Sequence, residues 1–249
     1  VELKWVKMCY STIEELLELI ENIANETGLP VGLKGAIGKL DQWEKLADLM
    51  VASGKGPDFI VVDGGEGGTG AAPPSFADHV SLPWVYGFSS LYQVFQKRNL
   101  TDRIVFIGSG KLGFPAKAAM AFAMGVDVIN VAREAMMSIG CIQAQICHTN
   151  RCPAGVATQS KWLQNGINVP LKSERLAQYF KTFRKEFLEI THAAGYEHPC
   201  QFTMEDIQVN VDDNDLNRDL KSSYKYEKTP VPFSSMQKLY DCDYLGGKN

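Results

Sequence analysis

An unbroken apolar strand that runs straight into a small-residue loop and then a helix, repeated along the chain, limits the possible folds more than any bulk property. Residues 58–63 (DFIVVD) lead into 64–74 (GGEGGTGAAPP); 103–107 (RIVFI) lead into Gly108-Ser109-Gly110-Lys111; and 126–131 (VDVINV) lead into Ala132-Arg133. A continuous apolar run marks a strand buried on both faces, which is the habit of parallel sheets. Parallel neighbours need a crossover connection, usually a helix. The pattern therefore predicts an α/β fold, a parallel sheet covered by helices, with the glycine loops at the carboxyl ends of the strands. That is where barrels and doubly wound sheets keep their sites.

The rest of the chain fits this alternation. Residues 1–9 alternate apolar and polar as a strand would. Ser11 reads as an N-cap with Glu14 completing a capping box, and Leu16, Leu17, Ile20 and Ile23 follow at helical spacing until Gly28 and Pro30. A short strand is expected over 31–34. A helix capped by Asp41 carries Trp43, Leu46, Ala47 and Met50, and further helices are expected over 85–100 and 114–124, with a short one after 131. A long helix over 171–194 presents Leu176, Phe180, Phe183, Phe187 and Ile190 as a packing stripe. From Asn210 the chain turns polar, and 221–249 reads as an extended or flexible tail. The expected organisation is residues 1–160 as the strand–helix units with the cysteine loop, 161–220 as a helical extension, and then the tail.

Charge and cysteine usage narrow the function classes. The 25 basic and 29 acidic residues give a net charge of -4 with no basic stripe, which argues against nucleic acid and anionic membranes. No apolar run is long enough to span a bilayer. Cys9, Cys200 and Cys242 are scattered, so a disulfide framework is not expected and a reducing, cytoplasmic setting is. Cys141, Cys147 and Cys152 instead cluster in GCIQAQICHTNRCPAGVATQ. Their spacing misses the common zinc pairings but suits three thiolates around a metal–sulfur core, with Pro153 directly after the last. Three packed, reduced thiols are the alternative.

The loops suggest what lies beside that cluster. Glycines at 64–70 let a backbone approach a ligand closely and turn its amides toward it. Gly108-Ser109-Gly110-Lys111 opens an Ala-rich helix, where free amides form an anion site, although the spacing is not that of a Walker A loop. With Val131-Ala132-Arg133, these turns match the phosphate site that flavin-binding barrels build after their last two strands. Lys34 closes an early strand and could reach a flavin ring or extend along the barrel rim.

DGGEGGTGAAPPSFADHVSLPW, GSGKLGFPAKAAMAFAMGVDVINVAREAM and GCIQAQICHTNRCPAGVATQ occur in that order. Together they resemble the FMN-binding synthase domain of glutamate synthase, and more closely the stand-alone glutamate-synthase-related proteins, over roughly residues 10–159 and more weakly to 199. The resemblance implies a (β/α)8 TIM-type barrel carrying FMN and a 3Fe-4S cluster. The five strands expected here fall short of the eight such a barrel needs, so residues 1–160 would be the carboxyl-terminal part of that barrel, completed by an N-terminal half from the same gene or another chain. It implies Cys141, Cys147 and Cys152 as cluster ligands. Gly67, Gly68, Thr69 and Gly70 would lie on the flavin and substrate side, and Gly108, Ser109, Gly110, Ala132 and Arg133 around the FMN phosphate. Lys34 would lie near the isoalloxazine, with Glu66 and His79 as the nearest proton-handling groups.

The implied reaction passes electrons from the cluster to FMN and reduces 2-iminoglutarate, formed from 2-oxoglutarate and ammonia, to glutamate. A reductase subunit or ferredoxin would be the donor. The family loop usually carries Asp where this chain has Glu66, so substrate preference is expected to differ, toward a related imine and amino acid. Two other readings of the same residues are an inosinate-dehydrogenase-like barrel with a loop Cys nucleophile, and a cofactor-free, inactive subunit.

Overall fold

A computed structural model of the 249-residue chain describes residues 10–67, 73, 75, 80–209 and 218–230. Strands β1 (Gly32–Ala36), β2 (Phe59–Asp63), β3 (Val105–Ser109) and β4 (Val128–Asn130) form one parallel sheet in sequential order. Lys34 pairs with Val61, Val62 with Gly108, and Ser109 with Asn130, so all four strands end on the same side. The strand expected over residues 1–9 lies outside the described residues.

Helices α1 (Ile13–Thr27), α2 (Asp41–Ser53), α3 (Trp84–Gln96) and α4 (Pro115–Ala123) alternate with the strands. Side chains alternate across a strand, and Ile60, Val62 and Phe106 enter the core with Leu46, Met50, Phe88, Leu91 and Phe95. The opposite sheet face carries Lys34, Phe59, Val105, Ile107 and Val128, which stay partly open to solvent, Val128 at 40% exposure. On that face Val61, at 7% exposure, is the one buried residue among the four strands. The Asp127 carboxylate, itself buried, accepts the Phe106 amide at 2.8 Å and locks β3 to the start of β4.

Several local expectations shift. The segment STIEE offers two overlapping capping frames, and the chain uses the second: Thr12 Oγ1 accepts the Glu15 amide while the Glu15 carboxylate reaches back to the Ser11 and Thr12 amides. The Glu15 frame turns Leu16, Leu17 and Ile20 inward and leaves Ile23 42% exposed. Asp41 is the first residue of α2 rather than its cap, a position held by Leu40 with no side-chain bond. The strand expected over 103–107 begins later, because Arg103 closes a short 3-10 turn with its amide on the Leu100 carbonyl.

Beyond the sheet come α5 (Arg133–Ser138), α6 (Lys161–Gln164) and the long α7 (Val169–Ala193). The buried edge of α7 differs from the expected stripe. Phe183 and Phe187 face inward, but Phe180 and Ile190 are 41% and 38% exposed, and Tyr179 and Thr191 take the inward positions. The two-residue strands β5 (Gln208–Val209) and β6 (Arg218–Asp219) pair antiparallel, and α8 (Leu220–Ser223) follows. Residues 221–230, the start of the expected tail, are anchored: Leu220 and Tyr226 are buried, and the Tyr226 hydroxyl donates to the Met124 carbonyl at 3.0 Å.

Candidate functional site

The parallel ladder brings the loops after β2, β3 and β4 to one end of the sheet. There the Gly64 amide donates to the Ser109 carbonyl at 2.8 Å, the Gly65 amide to Leu82 and the Leu82 amide to Ile37. Lys34 and Asp63 are diagonal neighbours on the open face and form an ion pair. The Lys34 side chain is 60% exposed and Asp63 27%, so the pair sits at the mouth rather than in the core. Asp63 was not among the residues singled out from sequence; a carboxylate closing an apolar strand beside a glycine loop was the available signal.

Trp84 organises this end. It begins α3, is 1% exposed and stacks on Phe88 with ring centroids 5.0 Å apart. Both Glu66 carboxylate oxygens lie 2.9 Å from its backbone amide, so Glu66 supplies the negative charge that a helix N-terminus favours. A Cβ on Gly64, Gly108 or Gly110 would come within 3.0 Å of Trp84 atoms. These three glycines are therefore required by the tryptophan packed between the ends of β2 and β3. Gly108 and Ser109, expected in the turn, are the last residues of β3, and the turn itself begins at Gly110.

The amides of Gly110, Lys111 and Leu112 donate to no acceptor among the described residues, and Lys111 sits at φ 53°. Helix α4 follows with Pro115 in its first turn and no side-chain cap. Ala132 and Arg133 open α5, with Arg133 half-buried. The Tyr179 hydroxyl donates to the Gly113 carbonyl at 2.7 Å and ties this turn to α7. Burial, and then the nearby Glu134 carboxylate, push the Tyr179 pKa up to about 12, so its hydroxyl stays a donor. A turn with open amides and an uncapped helix start fits a phosphate group. Gly68, Thr69, Gly70 and His79 lie outside the described residues, and Gly67 ends a short 3-10 turn with Gly65 and Glu66.

The cysteine loop is wound by left-handed residues at Gly140, Gln143, Gln145, Asn150 and Gly155. Asn150 closes it: its Oδ1 accepts from the Thr158 hydroxyl at 3.0 Å and the Gln159 amide at 2.6 Å. Cys141, Cys147 and Cys152 then line one small pocket, a cavity of about 10 Å³, with Met136, Ile146 and Val156 as apolar walls. Among the described residues no three ligating side chains converge on a single metal ion. The three thiols border one shared hollow instead. Cys152 is 7% exposed. Burial pushes its thiol pKa up, but the amides of Ala157, Ala154, Val156 and Gly155 outweigh it and hold the pKa below the ordinary thiol value. Amides aimed at sulfur favour a thiolate, the form that ligates metal. Cys200 is remote in sequence and bonds His198 Nδ1 at 3.1 Å.

A family model described as a conserved region in glutamate synthase matches residues 8–197. The chain is 38% identical over 207 residues to the glutamate synthase large subunit-like protein YerD of Bacillus subtilis (strain 168), covering 83% of this chain and 39% of that protein. It is 34% identical over 191 residues to the ferredoxin-dependent glutamate synthase of Pyropia yezoensis, covering 75% and 12%. It is 30% identical over 184 residues to the archaeal glutamate synthase (NADPH) of Methanocaldococcus jannaschii, covering 74% and 36%. The chain thus spans well under half the length of these relatives.

Proposed function

The chain belongs to the glutamate synthase family, and from that premise we propose that it carries the flavin and iron–sulfur site of a glutamate synthase-type oxidoreductase. The observation that carries the reading is the pocket bordered by Cys141, Cys147 and Cys152, which follows β4 and α5 in the chain. In this reading the three thiolates hold a 3Fe-4S cluster. Gly108, Ser109, Gly110, Ala132 and Arg133 surround the phosphate of FMN, and Gly67, Gly68, Thr69 and Gly70 border the ring and substrate. The bound groups would supply electron relay and hydride transfer that reduce 2-iminoglutarate, or a related imine, to glutamate or a related amino acid.

The chain's own contribution is position and charge. Lys34, steadied by Asp63, places a cation where negative charge on a bound ring would be stabilised. The turn amides orient the phosphate. Glu66, fixed on the α3 amide, and His79 are the proposed proton-handling groups.

The fold reading is of the same kind. Four consecutive parallel strands with one face packed by helices and the other open support the carboxyl-terminal part of a (β/α)8 barrel, its open face meeting an N-terminal half. An electron donor, either a reductase subunit or a ferredoxin, and a cytoplasmic setting complete the proposal. No helix among the described residues is long and apolar enough to cross a membrane.

The test is anaerobic purification of the 249-residue chain, alone and with a matching N-terminal half. Flavin absorbance with released FMN, iron and acid-labile sulfide are expected, and their joint absence from both preparations would refute the reading. The amides on Cys152 also suit a thiolate nucleophile of the inosinate-dehydrogenase kind. Single alanine substitutions separate the two readings.

A further inference from the structure

The net charge of -4 hides a local reversal. From Cys141 to Arg175 the chain carries four basic residues, Arg151, Lys161, Lys172 and Arg175, against one acidic residue, Glu174. The fold gathers those four around the cysteine loop. Arg151 lies within the loop, directly before Cys152, and is exposed. Lys161 opens α6, whose Leu163 carbonyl oxygen stands 2.5 Å from the position of a Gly155 Cβ, so this helix packs on the end of the loop. Lys172 reaches the other end: its Nζ is 2.6 Å from the position of a Cβ on Gly140, the residue before Cys141. Arg175 follows three positions later on α7 as a surface neighbour of Lys172. Glu174, two positions from Lys172, turns to a different side of the helix. None of the four cations makes an ion pair among the described residues.

Large apolar side chains stand exposed between these charges. Trp162 is 80% exposed, Ile142 on the pocket wall 68% and Leu171 51%. Aromatic and Arg anchors with apolar neighbours are the composition of a protein-binding surface. Nucleic acid is held chiefly through phosphate contacts to cations, which would leave Ile142 and Leu171 without a role. Unpaired cations select an acidic partner and steer it in. We propose that this surface docks an acidic electron-carrier protein beside the cysteine loop, with Trp162 as the apolar anchor and Arg151, Lys161, Lys172 and Arg175 as the charge partners. The carrier arrives reduced, gives one electron to the cluster site and leaves oxidised. The partner's redox role rests on the iron–sulfur reading above, whereas its acidity rests on the cations alone.

The test measures binding of an acidic ferredoxin, as the probe, to the anaerobically purified 249-residue chain by calorimetry, alongside iron and acid-labile sulfide. Saturable binding that weakens roughly tenfold or more as salt rises from about 0.05 M to about 0.5 M is expected. Trp162→Ala should weaken it roughly tenfold, and Lys161→Glu and Arg175→Glu roughly fivefold each. Lys185→Glu is the control. That ammonium pairs with Glu189 and lies about 20 Å further along α7 than Lys172, so the change should stay within about twofold. All four side chains are exposed, so the substitutions leave the fold intact. Absence of ferredoxin binding would overturn the proposal, as would wild-type affinity in Trp162→Ala and both reversals, or equally tight binding of a short DNA duplex. Salt-sensitive binding that the reversals weaken, in a chain without iron or sulfide, would uphold the docking surface and defeat the cluster reading instead.

Discussion

Replacing Gly110 by alanine tests the claim that Trp84 fixes the site end of the sheet. The added Cβ would stand 2.6 Å from Trp84 Cβ, 2.9 Å from Cγ and 3.2 Å from Cδ1. Carbon pairs prefer about 3.5–4.0 Å, so the closest contact is short by roughly 1 Å. The tryptophan cannot yield cheaply, because it is 1% exposed, stacked on Phe88 and pinned at its amide by Glu66. Overpacking of a rigid core costs about 1–3 kcal/mol, and this site belongs near the top of that range. A Gly→Ala change returns about 0.4–1 kcal/mol by restricting the unfolded chain. The net destabilisation is about 2 kcal/mol, which at an m-value of about 3 kcal/mol/M lowers the urea midpoint by roughly 0.7 M. Gly38→Ala is the control: nothing lies within 4 Å of its Cβ position, and its φ is not in the left-handed region. That variant should hold or slightly raise the midpoint. A Gly110→Ala midpoint equal to wild type would refute the packing argument, and so would an equal fall in both variants.

The other predictions concern residues that follow α7 in the chain. Tyr226→Phe removes the donor to the Met124 carbonyl within the buried core and should cost about 1–2 kcal/mol in urea unfolding, whereas an unanchored tail would show no change. Burial holds the His198 imidazole below its ordinary 6.5, so the unfolded chain takes up the proton first as pH falls. Stability from this group is full above about pH 6.5 and is lost as pH drops from there through the lower folded value. His198→Asn should accordingly flatten the fall in urea midpoint between pH 7.5 and 5.

The sheet was legible because its strands are apolar runs that end in small residues, a signal local to each segment. Its limits were not. Gly108 and Ser109 read as loop, yet they pair with Val62 and Asp63 in the ladder, since a glycine's place is decided by its neighbour across the sheet. The site residues divide on the same line. The cysteines announced themselves by spacing, but the winding that gathers them uses left-handed Gln143, Gln145 and Asn150, which no turn composition signals. Trp84 lies just ahead of the helix expected over 85–100 and carries no local signal of its role. Only its tertiary contacts show that three glycines make room for it. On α7, periodicity alone favoured Phe180 and Ile190. The structure prefers Tyr179 and Thr191, whose hydroxyls find the Gly113 and Phe187 carbonyls.

The central claim is that Cys141, Cys147 and Cys152 act together as cluster ligands. Iron and acid-labile sulfide per chain, measured after anaerobic purification of the wild type and the three single Cys→Ala variants, test it most directly. Comparable loss of iron and sulfide from all three variants is the predicted result. Undiminished iron in any one of them, with turnover abolished at a single position, would contradict it and favour a lone nucleophilic thiolate.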